Sequence, residues 1–289
     1  MTTRLIELEN YSKEQVRFYA KIEADNPTGS MKDRMVGAVL DILENKKELQ
    51  HAMTIVEASS GNTGIALAKV GVERGYSVVI CTPDSNVPEK RKLMRQYGAD
   101  VREFNTQIDT EADINAAREL GKQKGWYFFN QFENPYHTQA YYNSFGAEII
   151  EQLKEMNVVI DTVVGGVGTG GSLVGLIQRL REEHNPLLKI YAVGPKQSPS
   201  KIEGLHPGHI RGYFKIWKDR PTPFEENHIL IDNEEAIKRA IELSSREKLE
   251  VGPSSGAVLE AALNLPLSGN CLLLFCDNGN RYQNLYSKY

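Results

Sequence analysis

The sequence predicts an α/β fold in which parallel sheets are covered by helices, and two observations carry that prediction. Between residues 16 and 129, apolar runs of strand length alternate with helically periodic segments at about the spacing of βαβ units. Several strand-to-helix junctions are rich in glycine and hydroxyl residues, a composition suited to the ligand-binding carboxyl edge of such sheets. Right-handed crossovers would set those loops along one rim.

The elements follow in order. Residues 1–25 give a short charged start and then a strand through Val16, Phe18, Ala20, Ile22 and Ala24. Asn26-Pro27-Thr28-Gly29-Ser30-Met31-Lys32-Asp33-Arg34 comes next, and Met35, Val36, Val39, Leu40 and Leu43 continue as a helix. Pro27 and Gly29 mark a tight turn, with Ser30 as the expected N-cap and Asp33 at N3 as in a capping box. Met53–Glu57 reads as a strand, Ala58–Thr63 as a polar loop and Gly64–Val70 as the start of a helix ended by Gly75. Tyr76–Cys81, Asp100–Phe104 and Trp126–Phe129 read as strands, and Pro88–Tyr97 and Thr110–Lys124 as helices. A helix is expected over His137–Lys154, a strand at Asp161–Val164, a glycine loop at Gly165–Ser172, a helix from Leu173 and a strand at Lys189–Gly194. Pro195–Asn227 is long, rich in Pro, Gly and His, and weakly periodic; loops of that length are usually functional. Glu234–Glu247 reads as a helix, Pro253-Ser254-Ser255-Gly256 opens another, and Cys271–Cys276 is a final buried strand.

A chain of 289 residues can bury a large core, as one large domain or two smaller ones. A net charge of −4 gives no basic field for nucleic acid or a membrane surface. The longest apolar runs fall far short of a membrane span, and the first residues hold no apolar signal-peptide core. Cys81, Cys271 and Cys276 form an odd set without metal-ligand spacing, each in or beside an apolar run. That is the usage of small buried thiols in a reducing compartment, so a cytoplasmic protein is expected.

Lys32 falls in the first turn of its helix, where a cation costs about 0.3–1 kcal/mol against the helix macrodipole. The same field favours the neutral amine that Schiff-base chemistry needs. A solvated lysine beside a capped helix is the plainer alternative. Gly166-x-Gly168-x-x-Gly171 has dinucleotide spacing, but the next strand ends in Pro195 and Lys196, without the acid a ribose requires. No Lys-Ser/Thr pair closes the loop as in a P-loop. What remains is a run of backbone N–H groups at a helix start, with the Thr169 and Ser172 hydroxyls, suited to one phosphate. The Ser59–Thr63 loop suits a carboxylate or a second phosphate, and Pro253–Gly256 is a third polar helix start; simple capping would also account for each of these two. Glu203-x-x-His206-x-x-His209 has metal-like spacing, but Pro207 and Gly208 break any helical face, so no metal site is expected. One cofactor satisfies the lysine and the three helix starts together. Pyridoxal phosphate needs a lysine for its aldehyde, a phosphate nest, a group at the pyridine nitrogen and a receptor for the amino-acid carboxylate.

The residues resemble the cysteine synthase and cystathionine β-synthase family, the fold-type II pyridoxal phosphate enzymes. Asn26–Arg34 is similar to the family's lysine motif, Glu57–Gly64 (EASSGNTG) to its substrate loop and Gln131-Phe132-Glu133-Asn134-Pro135 to a further family stretch. Gly166–Ser172 resembles the phosphate loop, Gly252–Gly256 the segment facing the pyridine nitrogen, and Asp277-x-Gly279-x-Arg281-Tyr282 the C-terminal signature. The likeness runs in order from about residue 16 to 282. It implies a tryptophan synthase β-like fold of two domains with the cofactor in the cleft between them. Residues 1–34 and 134–289 would form the larger, cofactor-binding domain and 35–133 a smaller, mobile substrate-loop domain.

The resemblance further implies that Lys32 forms the internal aldimine and that Gly168, Thr169, Gly170, Gly171 and Ser172 hold the phosphate. Asn62 would contact the ring hydroxyl, and Ser254 would face the pyridine nitrogen. Ser59, Ser60, Gly61, Thr63 and Gln131 would bind the substrate carboxylate. The implied reaction converts O-acetyl-L-serine and sulfide to L-cysteine through an aminoacrylate, with Lys32 as the general base in a ping-pong scheme. A homodimer is implied as well, with small-molecule substrates as the partners. Three departures stand out: the start lacks the family's Gly-Asn-Thr-Pro-Leu stretch, Ala58-Ser59 replaces the frequent Pro-Thr, and Ile202–His209 replaces a smaller glycine-rich loop. They leave open a β-replacement enzyme using another serine derivative or thiol, such as homocysteine, and a weakly catalytic paralogue acting by binding a partner. A serine or threonine dehydratase fits the motifs less well.

Overall fold

A computed structural model of the chain describes residues 2–84, 88–104, 110–206 and 227–289. The strands are β1 (Leu5–Glu7), β2 (Val16–Ile22), β3 (Thr54–Ala58), β4 (Ser77–Pro83), β5 (Asp100–Phe104), β6 (Trp126–Phe128), β7 (Thr162–Gly166), β8 (Lys189–Pro195), β9 (His228–Ile231) and β10 (Gly269–Phe275). The helices are α1 (Lys32–Asn45), α2 (Asn62–Glu73), α3 (Pro88–Gln96), α4 (Thr110–Leu120), α5 (His137–Tyr141), α6 (Ala147–Glu155), α7 (Gly171–Glu183), α8 (Asn233–Glu247), α9 (Pro253–Leu263) and α10 (Gln283–Tyr286). Two compact units result: Met1–Met31 with Tyr141–Tyr289, and Lys32–Ala140.

The first unit is built on a six-stranded sheet in the order β1-β2-β10-β7-β8-β9. Every pairing is parallel except that of β1 with β2. The inner strands read as near-continuous apolar runs because both of their faces are covered, as parallel sheets require. Phe18, Ile22, Val164, Val193, Leu273 and Phe275 pack with Val258, Leu259 and Ala261 of α9 in one buried cluster. The second unit is a four-stranded, all-parallel sheet in the order β5-β4-β3-β6. Val56, Val79, Cys81 and Ala117 of α4 form its core on one face.

Two short strands lie outside the sequence expectation. β1 has three residues at a sheet edge and β9 has four, too few to show a period of two. The expected His137–Lys154 helix is real in extent but passes through a π-helical turn at Tyr142–Gly146 between α5 and α6. Tyr141, Phe145 and Ile149 remain buried at intervals of four, so the apolar pattern carries no trace of the insertion. Residues 207–226 of the long Pro195–Asn227 segment lie outside the described residues. Among those described, no helix is long and apolar enough to cross a membrane.

A buried cation braces the strand that leads to the lysine turn. Lys21 on β2 is fully buried, and its Nζ donates to the Thr3 carbonyl at 2.7 Å, to Gln152 Oε1 at 2.7 Å and to Glu148. The Thr3 hydroxyl donates to Glu23 Oε1 at 2.7 Å, and Asn26 Nδ2 donates to Glu23 Oε2 at 2.9 Å, so the network ends on the first residue of the lysine motif. Removing one partner of a buried pair strands the other charge. Lys21→Met is expected to lower stability by about 3 kcal/mol in urea titration. Arg4→Ala, which breaks an exposed pair with Asp25, should cost about 1 kcal/mol or less.

Candidate active site

β2, β10 and β7 are adjacent and parallel, so the segments that leave their carboxyl ends share one edge of the first unit's sheet. The lysine turn follows β2. Gly29 N–H closes it on the Asn26 carbonyl at 2.7 Å, with Gly29 in the left-handed region at φ 76°. The segment after β10 then clamps that turn. Met31 N–H donates to the Cys276 carbonyl and Asn278 N–H to the Gly29 carbonyl, both at 2.9 Å, and the Arg281 guanidinium donates to the Thr28 carbonyl. Ser30 forms an isolated β-bridge with Asp277. α1 begins at Lys32, two residues after Ser30.

The same segment holds the third helix start. Gly252 N–H donates to the Asp277 carbonyl at 3.0 Å, Gly279 N–H to the Glu250 carbonyl at 3.1 Å, and the Tyr286 hydroxyl to the Val251 carbonyl at 2.7 Å. The Tyr282 hydroxyl donates to Asp277 Oδ2 at 2.7 Å, and burial pushes that phenol well above its ordinary range. α9 then starts at Pro253 with no side-chain cap. Ser254 and Ser255 are both buried, and the Ser255 hydroxyl has no hydrogen-bond partner among the described residues.

The glycine loop follows β7. Gly170 takes φ 80°, and α7 begins at Gly171 with no side-chain cap, leaving its first N–H groups to the loop's own concavity. Gly168, Thr169 and Ser172 are half-buried, and Gly170 and Gly171 are buried. Residues 202–206 lie across this loop: His206 N–H donates to the Val167 carbonyl at 2.8 Å. A Cβ on Gly168 would stand 2.2 Å from the Gly204 carbonyl oxygen, so only glycine fits there. Glu203 is exposed and His206 half-buried; Pro207, Gly208 and His209 lie outside the described residues. An uncapped helix start lined by glycine N–H groups and two hydroxyls fits a phosphate.

In the second unit, β3 and β6 are adjacent and parallel, so the Ser59–Asn62 loop and the residues after Phe128 share an edge. Ser59 Oγ accepts the N–H groups of Gly61 at 3.3 Å and Gly64 at 2.9 Å, an internal cap for α2. The Thr63 hydroxyl donates to Gln131 Oε1 at 2.6 Å, which brings two of the predicted substrate residues together. Ser59, Thr63 and Gln131 are buried, Gly61 and Asn62 half-buried, and Ser60 exposed.

Lys32, half-buried at the start of α1, has two titratable neighbours to which the sequence reading gave no role. Glu57 on β3 is fully buried, and its Oε2 accepts the Gln131 N–H at 3.3 Å. Burial pushes its carboxyl up to about 8, against the opposing pull of the Gln131 and Asn130 N–H groups and the Lys32 charge. His137 is fully buried, and its ring is pushed down to about 3, first by burial and then by Lys32. A signal for Glu57 was present, since an acid in an otherwise apolar parallel strand has to be buried. His137 gave none.

Two mostly parallel sheets flanked by helices are the architecture of the fold-type II pyridoxal phosphate enzymes. The model of the family described as pyridoxal-phosphate dependent enzyme matches residues 1–277, and the chain belongs to that family. The chain is 32% identical over 277 residues to a cysteine synthase of Staphylococcus aureus (strain Mu50), covering 91% of this chain and 86% of that one. It is 32% identical to O-ureido-L-serine synthase of Streptomyces lavendulae, covering 97% and 88%. Among solved structures it is similar to a cysteine synthase of Entamoeba histolytica, with a TM-score of 0.87, 28% identity and coverage of 99% and 88%. The cofactor is therefore pyridoxal phosphate. Gly168→Ala should weaken its binding to the apoprotein by about tenfold or more in an absorbance titration, because the new methyl forces the loop and residues 202–206 apart.

Proposed function

We propose that this chain makes L-cysteine from O-acetyl-L-serine and sulfide by pyridoxal-phosphate-dependent β-replacement. The observation that carries the reading is the clamped lysine turn, set on the same sheet edge as an uncapped glycine nest and a serine-bearing helix start. The similarity to cysteine synthases supports the substrates. Pyridoxal phosphate, when bound, supplies the electron sink for loss of the α-proton and the β-substituent.

The roles follow from the residue chemistry. Lys32 would hold the cofactor through Nζ, and its free amine would take the donor's α-proton and later return it. Gly168, Thr169, Gly170, Gly171 and Ser172 hold the phosphate, through backbone N–H groups and two hydroxyls. Asn62 meets the ring hydroxyl. Ser254 meets the ring nitrogen with a neutral hydroxyl, which does not hold that nitrogen protonated and so favours replacement over transamination. Ser59, Ser60, Gly61, Thr63 and Gln131 receive the donor's carboxylate. The protein acts on small molecules as a homodimer, as the family resemblance implies, and in the cytoplasm, in keeping with its three free cysteines, two of them fully buried. A second reading, with a thiol such as homocysteine in place of sulfide, is favoured by one feature: residues 202–206 lie across the glycine loop and carry Glu203 and His206.

The purified protein should be yellow, with a visible band that is absent from Lys32→Ala. O-acetylserine should shift that band and sulfide should restore it. Restoration by homocysteine but not by sulfide would favour the second reading, and a colourless wild type loaded with pyridoxal phosphate would overturn both.

A further inference from the structure

Gln131 is held from three directions. Its Oε1 accepts the Thr63 hydroxyl at 2.6 Å, its backbone N–H donates to Glu57 Oε2 at 3.3 Å, and the buried His137 ring lies against its backbone. One residue thereby joins the loops that follow β3 and β6. Glu57 is next to last on β3, at 0% exposure, and its Oε1 has no hydrogen-bond partner among the described residues. An ionised carboxylate is costly to bury even with the Gln131 and Asn130 N–H groups acting on it, whereas a neutral carboxyl accepts the same donors at lower cost.

We propose that Glu57 is a positioning residue for the amino-acid donor: it fixes Gln131, and through it the Thr63 hydroxyl, in the arrangement that receives the donor's carboxylate. The proposal rests on the assignment of Gln131 and Thr63 to that carboxylate. Charge supports it. Burial keeps Glu57 protonated up to about pH 8, so at neutral pH it anchors Gln131 without setting a second anion beside the one being bound. Among the described residues, Lys32 from α1 acts on it directly and Cys81 from β4 feels its charge, along with those of Arg102 and Asp100 of β5 and Asp113 of α4; His137 from α5 shares Lys32 and Gln131 as neighbours. Burial pushes the Cys81 thiol up to about 12 and the His137 ring down to about 3, so both are neutral at pH 7. Lys32 alone among them stabilises the Glu57 anion. As pH rises through 8, Glu57 ionises and adds negative charge beside the donor's carboxylate, and donor binding weakens.

The test uses holoenzyme and two readouts: donor-induced change in cofactor absorbance, and steady-state kinetics with O-acetylserine. Glu57→Ala should raise both the half-saturating donor concentration and KM by about tenfold or more, with kcat changed by less than about threefold and the cofactor band in place. Glu57→Gln keeps an acceptor for the Gln131 N–H and stays neutral, so it should recover KM to within about threefold of wild type. It should also remove the rise in KM that is expected of wild type between about pH 7 and 9. Gln131→Ala is the control on the underlying assignment. Wild-type donor binding in Gln131→Ala would refute the carboxylate assignment itself. Weakened binding in Gln131→Ala with wild-type binding in Glu57→Ala would refute the positioning role alone. So would a Glu57→Gln variant as impaired as Glu57→Ala, or one whose pH profile tracks wild type. Should Glu57→Ala fail to fold, the pH profile of Glu57→Gln decides.

Discussion

The site depends on a short backbone clamp. Met31 N–H to the Cys276 carbonyl and Asn278 N–H to the Gly29 carbonyl, each 2.9 Å, tie the turn before Lys32 to the end of the chain's last strand. A lysine side chain has four rotatable bonds and loses up to about 2 kcal/mol of rotamer freedom when fixed, so the role proposed for Lys32 depends on how firmly its backbone is placed. The clamp supplies that placement with main-chain groups, which no side-chain substitution removes directly. It also explains why residues far apart in sequence, 26–31, 250–256 and 276–286, behave as one structural piece. The buried Lys21 network holds the same turn from the other side through Glu23 and Asn26.

Two of the groups that feel the Lys32 charge, Glu57 and His137, carry no charge of their own at neutral pH. Glu57 is kept protonated and His137 unprotonated by the same cause, burial, acting in opposite directions on an acid and a base. The anion-receiving parts are built from dipoles: uncapped helix starts at Gly171 and Pro253, glycine N–H groups and hydroxyls. Fixed dipoles can receive an anion without adding mobile charges.

Much of this was legible in the sequence. The parallel sheets announce themselves through βαβ spacing, and the glycine loop through residues whose conformation or close approach forbids a side chain, as at Gly168. The family resemblance marked Asp277, Gly279, Arg281 and Tyr282, but their physical role is a tertiary contact across about 250 residues, which no local pattern encodes. The π-helical turn left the apolar spacing intact. Glu57 was visible as an acid in a buried strand, yet only its hydrogen bond to Gln131 gives it a role.

The central claim is that Lys32, held by the clamp, is the residue bonded to the cofactor. Borohydride reduction of the holoprotein followed by peptide mass mapping tests it directly. The account predicts a pyridoxyl-modified peptide containing Lys32 as the dominant product, lost in Lys32→Ala. A pyridoxyl group on any other lysine, or an unmodified Lys32 in yellow protein, would contradict it.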